Sequence, residues 1–256
     1  MMELTGLQPL FINAGLCHTP TVPCLDMYGE IGGDPRVGPA VRHADALYKK
    51  GMLVGTFLSQ RSDLLVLGEC VPGGTTTALC VLRALGYSAT VSSSFVENPV
   101  SKKEKICEAA LFRIRENKIS EPIDIVEYTG DPMMAVAAGI ATTYSGDLIL
   151  AGGTQMLAVA AILKSTGSTL PFVVTTTYVR NDRSANVENI AHQIGVKTYY
   201  VDPGFEDLGH PGLARYCIGE VKEGMGAGGA MCLAHLMGHS PEVIRNKILT
   251  TVNAYS

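Results

Sequence analysis

The stretch DLILAGGTQMLAVAAILKS, residues 147–165, holds the fold in miniature. Leu148, Ile149 and Leu150 form an aliphatic run of strand length that ends in the double glycine Gly152-Gly153, and an apolar segment long enough for a helix follows from Thr154. Strand, glycine turn and helix make the unit from which parallel sheets covered by helices are built. Similar units recur on both sides of it. Strands are expected at 9–15, 63–69, 147–153, 171–178 and 197–202, and helices at 39–60, 75–86, 101–117, 132–145, 154–165, 186–194 and 241–254. The fold class that follows is α/β: a doubly wound, mostly parallel, Rossmann-like sheet with helices on both faces. It fills one domain spanning 1–256, with room for a small lobe in about the last fifty residues. The polar loops 92–101 and 180–189 are too short to divide it.

Composition narrows the function classes. Hydrophobic residues make up 46% of the 256 and charged residues only 17%, with a net charge of −4. No basic run with interleaved aromatics appears, so a nucleic-acid partner is not expected. No apolar stretch reaches membrane-spanning length and the first residues lack a cationic, then apolar, leader, so no membrane partner is expected and the expected location is cytoplasmic. The seven cysteines, Cys17, Cys24, Cys70, Cys80, Cys107, Cys217 and Cys232, contain no CxxC pair and suit small buried thiols in a reducing compartment. Cys17-His18 with Cys24 fits no standard metal spacing, and neither a metal nor a cofactor is expected.

In such a fold the chemistry lies beyond the carboxyl ends of the strands. Three glycine-rich stretches fall there: GECVPGGTTTA (68–78), AGGTQMLA (151–158) and KEGMGAGGAM (222–231). Glycines allow a ligand close to the main chain, and amides at a helix start attract an anion. The first stretch nearly spells a Walker A loop, with Gly68, four residues and Gly73, but Gly74 stands where that loop needs lysine. Without the lysine, neutral amides and the hydroxyls of Thr75 and Thr154 suit one phosphate monoester better than a triphosphate. Glu69 ends a strand and Glu223 adjoins a run of glycines; either carboxylate can project into the site as a general base. On the residues alone, Glu69 is equally a structural acceptor for backbone amides; for Glu223 a solvated partner of Lys222 is the lesser alternative, since the glycines beside it give it no helix face to decorate. His210, in DLGHPG, reads as a turn residue.

Taken in order, INAGL (12–16), GECVPGGTTTAL (68–79), TGDPMMAVAAGIA (129–141), LAGGTQMLAV (150–159) and GEVKEGMGAGG (219–229) resemble the nicotinate-nucleotide-dimethylbenzimidazole phosphoribosyltransferase family, above all its archaeal branch. The similarity runs along nearly the whole chain. It implies transfer of phosphoribose from nicotinate mononucleotide to a benzimidazole-type base, giving the α-riboside phosphate of the cobamide lower ligand. It further implies that Glu223 removes the azole proton and that Glu69 is a second active-site carboxylate. Gly73, Gly74, Thr75 and Thr76 match the family's phosphate-side turn, and Gly152, Gly153 and Thr154 match a second ligand loop. Lys103 aligns with a phosphate-binding lysine, and on the residues alone is equally an exposed helix lysine. A homodimer with a pocket completed across its interface is implied too. Met133, Met134, Met156 and Met225 are candidates for the pocket of the flat base, with core filling at helical spacing the favoured reading for the pair Met133-Met134.

The chain departs from the family in two ways. Gly73-Gly74-Thr75-Thr76 replaces a Gly-Asn-Thr-Thr, so a side-chain amide is missing from the loop. The family also carries a further amino-terminal segment that contributes to the base pocket, so weak or lost activity is expected of this polypeptide alone. Two other functions fit parts of the pattern: a non-catalytic protein that binds a nucleotide or cobamide precursor, and a P-loop-like ATP-dependent enzyme.

Overall fold

Residues 147–151 form a strand and 154–165 a helix, as their pattern requires. The structure is a computed structural model, and it describes residues 1–18, 20–220 and 225–255. In chain order the elements are α1 (Met2–Thr5), β1 (Phe11–Asn13), β2 (Cys24–Asp26), α2 (Ala44–Ser59), β3 (Leu64–Gly68), α3 (Gly74–Ala84), α4 (Val100–Glu116), α5 (Pro122–Thr129), α6 (Pro132–Thr143), β4 (Asp147–Ala151), α7 (Thr154–Ser165), β5 (Phe172–Thr176), α8 (Thr177–Arg180), α9 (Val187–Ile194), β6 (Thr198–Val201), a 3-10 turn (Phe205–Leu208), α10 (Pro211–Cys217), a π-helical turn (Met225–Ala230), α11 (Met231–Leu236) and α12 (Pro241–Asn253).

β3, β4, β5 and β6 form one parallel sheet in that spatial order. Each crossover therefore steps the same way, and because such crossovers are right-handed they stack their helices on one side. That side carries Leu65, Leu67, Leu148, Leu150, Val173 and Tyr200, which pack into the main core with α3, α6, α7 and α9. The alternate residues, Val66 and Ala151, point to the other face, where Gly229 of the π-helical turn lies against both. The sheet is thus flanked by helical structure on both faces. α7 is buried from Thr154 to Leu163, around its whole circumference, which accounts for the unbroken apolar run Met156–Leu163. Phe205, Met231, Ala234 and Ile244 form a second, smaller core in the carboxyl-terminal part of the chain. No helix among the described residues is long and apolar enough to cross a membrane.

Three expectations need correction. The 9–15 strand shortens to β1 and does not join the main sheet; it pairs in parallel with β2, which had no sequence signal beyond three residues. The 39–60 helix begins only at Ala44, because His43 has a left-handed backbone (φ 59°) and the α2 start is fixed from afar: the Ala44 N–H donates to Glu127 Oε2 at 3.2 Å. Only Cys80 and Cys107 are buried, whereas Cys17 and Cys70 are exposed.

α2 and α6 cross at backbone contact distance. A Cβ at Gly51 would stand 3.1 Å from Gly139 Cα, and one at Gly55 would stand 3.1 Å from the Ile140 carbonyl carbon. Tyr48 Oη to Thr142 Oγ1 at 2.9 Å and Thr143 Oγ1 donating to Met52 O at 2.6 Å fix the crossing.

Asp131 caps α6, its Oδ1 accepting the Met133 N–H at 2.8 Å. Burial pushes its carboxyl above the ordinary aspartate range, with the Met133 hydrogen bond opposing. A carboxyl whose pKa is raised on folding binds more protons in the native than in the unfolded state, so stability falls as pH rises through the window that opens at about pH 4. Asp131→Asn keeps the capping oxygen and removes the charge. Thermal melts over a pH series are expected to give the variant a stability at pH 7 equal to or above the parent's, without the parent's loss across that window. A variant that is less stable at neutral pH than at pH 4, relative to the parent, would contradict the assignment.

Candidate functional site

Gly68 of β3 is the register partner of Ala151 of β4, so the loops 69–73 and 152–153 leave the sheet edge side by side. Glu69 folds into the gap between them. Its Oε2 accepts the Val71 N–H at 3.2 Å and Gln155 Nε2–H at 2.7 Å. On the other side, a Cβ at Gly152 would stand 3.0 Å from Glu69 Oε1 and 2.8 Å from Met156 Cγ, so a side chain there would displace both from these positions.

The two glycines before Thr75 serve different ends. Gly73 has φ 78°, the left-handed conformation that turns the chain into α3. Gly74 is needed for space: a Cβ there would lie 2.5 Å from Gln155 Cδ and overlap Gln155 Oε1. A glutamine reaching across from the second loop thus fills the ground where a Walker lysine would begin. Gly153 is less constrained, since its Cβ would make an ordinary 3.6 Å contact with Val179 Cγ1.

Several amides of these turns are already engaged. The Gly74 N–H donates to Val71 O and the Thr76 N–H to Gly73 O, both at 3.2 Å, while the Gly152 N–H donates to Val174 O at 3.0 Å. Thr154 is 1% exposed, and its hydroxyl has no hydrogen-bond partner among the described residues, as is true of Thr175 one strand over. The described part of the third glycine stretch covers these strand ends: a Cβ at Gly228 would stand 2.8 Å from Thr175 Cα. Glu223 lies outside the described residues, as does the side chain of Met225.

Lys103 is not an exposed helix lysine. It is 5% exposed on the first turns of α4, and its Nζ donates to Ser92 O at 2.7 Å. The loop it holds is itself locked to the 181–186 loop, with Asn98 Nδ2 donating to Ser184 Oγ at 2.8 Å and the Thr90 N–H to Asn186 Oδ1 at 2.8 Å. Met134 and Met156 are fully buried and Met133 packs at the margin of the same core, so these three fill the interior. His210 is a capping residue, its Nδ1 accepting from the first amides of α10. A cleft of about 560 Å³ lies elsewhere, lined by Leu16, Glu30, Ile31, Asp34, Val37 and Arg42. No group of three or more His, Cys, Asp or Glu side chains among the described residues is arranged to hold a metal ion.

The structure therefore brings Glu69, Gly74 and Gly152 together and adds Gln155, which the sequence reading passed over. Its signal was a lone amide in an apolar helix, directly behind the double glycine and threonine.

No protein-family model matches the chain. Among curated proteins it is 42% identical over 257 residues to a UPF0284 protein of Methanothermobacter thermautotrophicus, covering 96% of this chain and 72% of the relative. It is 42% identical over 252 residues to a UPF0284 protein of Thermococcus onnurineus, covering 96% and 75%, and 40% identical over 259 residues to one of Methanosarcina mazei, covering 96% and 73%. Among solved structures, a nicotinate-nucleotide-dimethylbenzimidazole phosphoribosyltransferase from Thermus thermophilus aligns with TM-score 0.55 at 18% identity, over 75% of this chain and 59% of that one. CobT from the same organism aligns with TM-score 0.59 at 17% identity, over 75% and 60%. The alignment thus spans less than two thirds of either solved chain, and at these identities the likeness is one of fold.

Proposed function

This chain belongs to the UPF0284 family, and from that membership and the fold it shares with the two solved structures we propose that it is a phosphoribosyltransferase acting on nicotinate mononucleotide and a benzimidazole-type base. The observation that carries the reading is the meeting of two glycine loops around one carboxylate, Glu69, at the carboxyl ends of β3 and β4. In the proposed reaction the azole nitrogen attacks C1′ of the ribose. The bond from C1′ to the nicotinate nitrogen breaks, its electron pair neutralises the pyridinium ring, and the azole proton passes to Glu223. The departing ring needs no general acid, so one base and good orientation suffice.

Gly73, Gly74, Thr75 and Thr76 on one side, with Gly152, Gly153 and Thr154 on the other, form the proposed phosphate and ribose cradle. Because the Gly74, Thr76 and Gly152 amides are used within the turns, the hydroxyls of Thr75 and Thr154 carry more of the proposed contact. Lys103 is the proposed cation for the phosphate, brought in from α4. A homodimer of single-domain subunits belongs to the same reading, and light scattering tests it.

A binding-only role is the second reading, favoured by the burial of Met134 and Met156, which removes two candidates for a base pocket. An ATP-dependent P-loop enzyme is disfavoured, because Gln155 occupies the space a lysine at position 74 would need. Product analysis separates them: protein, nicotinate mononucleotide and a panel of benzimidazoles are mixed, and an α-riboside phosphate with equimolar nicotinate is expected. Nucleotide binding without product, both by this chain and by a version extended at the amino terminus, supports the second reading and defeats the first.

A further inference from the structure

We infer that Gln155 is the positioning residue that sets the Glu69 carboxylate, and that Gly74 is glycine to admit it. The measured quantity in the first test below rests on the phosphoribosyl-transfer reading; the second test does not.

Gln155 is 7% exposed at the second position of α7, directly ahead of an apolar buried run from Met156 to Leu163. Burying a primary amide is costly unless it is hydrogen-bonded, so a glutamine here needs a partner to offset its desolvation. It has one: Nε2 donates to Glu69 Oε2 at 2.7 Å, a charge-assisted bond, and also approaches Val71 O at 3.4 Å. A single amide group thereby holds both the carboxylate and the backbone of the loop that follows it. Its other end, Oε1, is buried without a hydrogen-bond partner among the described residues and lies against Gly74. Any side chain at position 74 would push the amide away, so the identity of residue 74 on one loop is tied to that of residue 155 on another. Glu69 is thus bounded by the Val71 amide, by Gln155 and by the bare backbone of Gly152. Since α7 is wedged in the core, Gln155 is rigidly based, and it transmits that rigidity to the carboxylate.

Gln155→Met keeps length and volume but removes the donor. Loss of one charge-assisted hydrogen bond from an otherwise intact loop is expected to lower kcat by about 10- to 100-fold, with KM for nicotinate mononucleotide within about threefold because the nucleotide cradle keeps its backbone. Gly74→Ala, which displaces the amide instead of deleting it, is expected to reproduce the fall in kcat. The two changes combined are expected to be no worse than the more severe alone, since both break one contact. A kcat unchanged in Gln155→Met, or losses that multiply in the double variant, overturns the inference.

If neither the parent protein nor a version extended at the amino terminus makes product, the transfer reading fails, and the inference is decided by stability. Melting temperatures of Gln155→Met, Glu69→Gln and their combination form a cycle in which the shifts are expected to be non-additive. Additive shifts would overturn the inference whatever the reaction.

Discussion

Glu223→Gln is expected to abolish phosphoribosyl transfer while leaving affinity for nicotinate mononucleotide within a few-fold. Glutamine keeps the size of the glutamate side chain and can still accept a hydrogen bond, but it cannot take a proton from the azole. A positioned general base contributes on the order of 10²- to 10⁴-fold, and nothing in the departure of nicotinate replaces it, since the pyridinium nitrogen leaves with the bond pair and needs no acid. The loss should therefore fall on kcat, with nucleotide affinity left to the proposed cradle around Gly73–Thr76 and Gly152–Thr154. Two measurements decide it: steady-state transfer to dimethylbenzimidazole, and calorimetric binding of nicotinate mononucleotide. Turnover within about tenfold of the parent, below the range for a general base, would remove Glu223 from its proposed role. Loss of binding together with turnover would make it a binding residue.

Gly139→Ala should lower the melting temperature by roughly 6–12 °C, taking about 3 kcal/mol for overpacking and about 2–4 °C per kcal/mol for a chain of this size. The direction is opposite to the usual one, because alanine inside a helix is ordinarily better than glycine by about 1 kcal/mol. Here the added Cβ would overlap the Tyr48 carbonyl oxygen and stand 3.0 Å from both Gly51 Cα and Met52 N. All three are backbone atoms and cannot swing aside as a side-chain end could. Moving α2 outward would strain the bonds from Tyr48 to Thr142 and from Thr143 to Met52 that hold the crossing. Gly38→Ala is the control, since nothing lies within 4 Å of its Cβ position, and it should melt close to the parent. A Gly139→Ala protein as stable as the parent would show that the helices can separate at no cost.

Much of the fold was legible because its segments carry strong local signals. The 154–165 helix has the predicted bounds, and the strands at 63–69 and 147–153 lose only terminal residues. The 171–178 strand was overrun: Thr177 and Tyr178 have good strand propensity, yet the Thr176 side chain accepts the Val179 N–H and starts α8 there. α5, β2 and α10 were missed because segments of eight residues or fewer show too little periodicity to be told from loops.

At the site, the glycine stretches were legible as turns, but their glycines could not be sorted. Gly73 is required by its own backbone angle, whereas Gly74 and Gly152 are required by side chains 81 and 83 residues away, Gln155 and Glu69. Lys103 was read as either ligand or surface residue, and only the fold of the 92–98 loop over it makes it a buried lysine.

By itself the sequence determined the order and kind of the main elements, since hydrophobic period and glycine turns are properties of neighbours along the chain. It also determined that the first two glycine loops lie at one edge of the sheet, since parallel strands linked by crossovers all end on the same side. Only the tertiary structure decided which glycines leave room for which side chains, that Gln155 rather than a lysine meets the first loop, and that β1 stands apart from the main sheet. Those facts depend on distances between residues far apart in the chain, and close packing sets such distances only when every neighbouring element is in place.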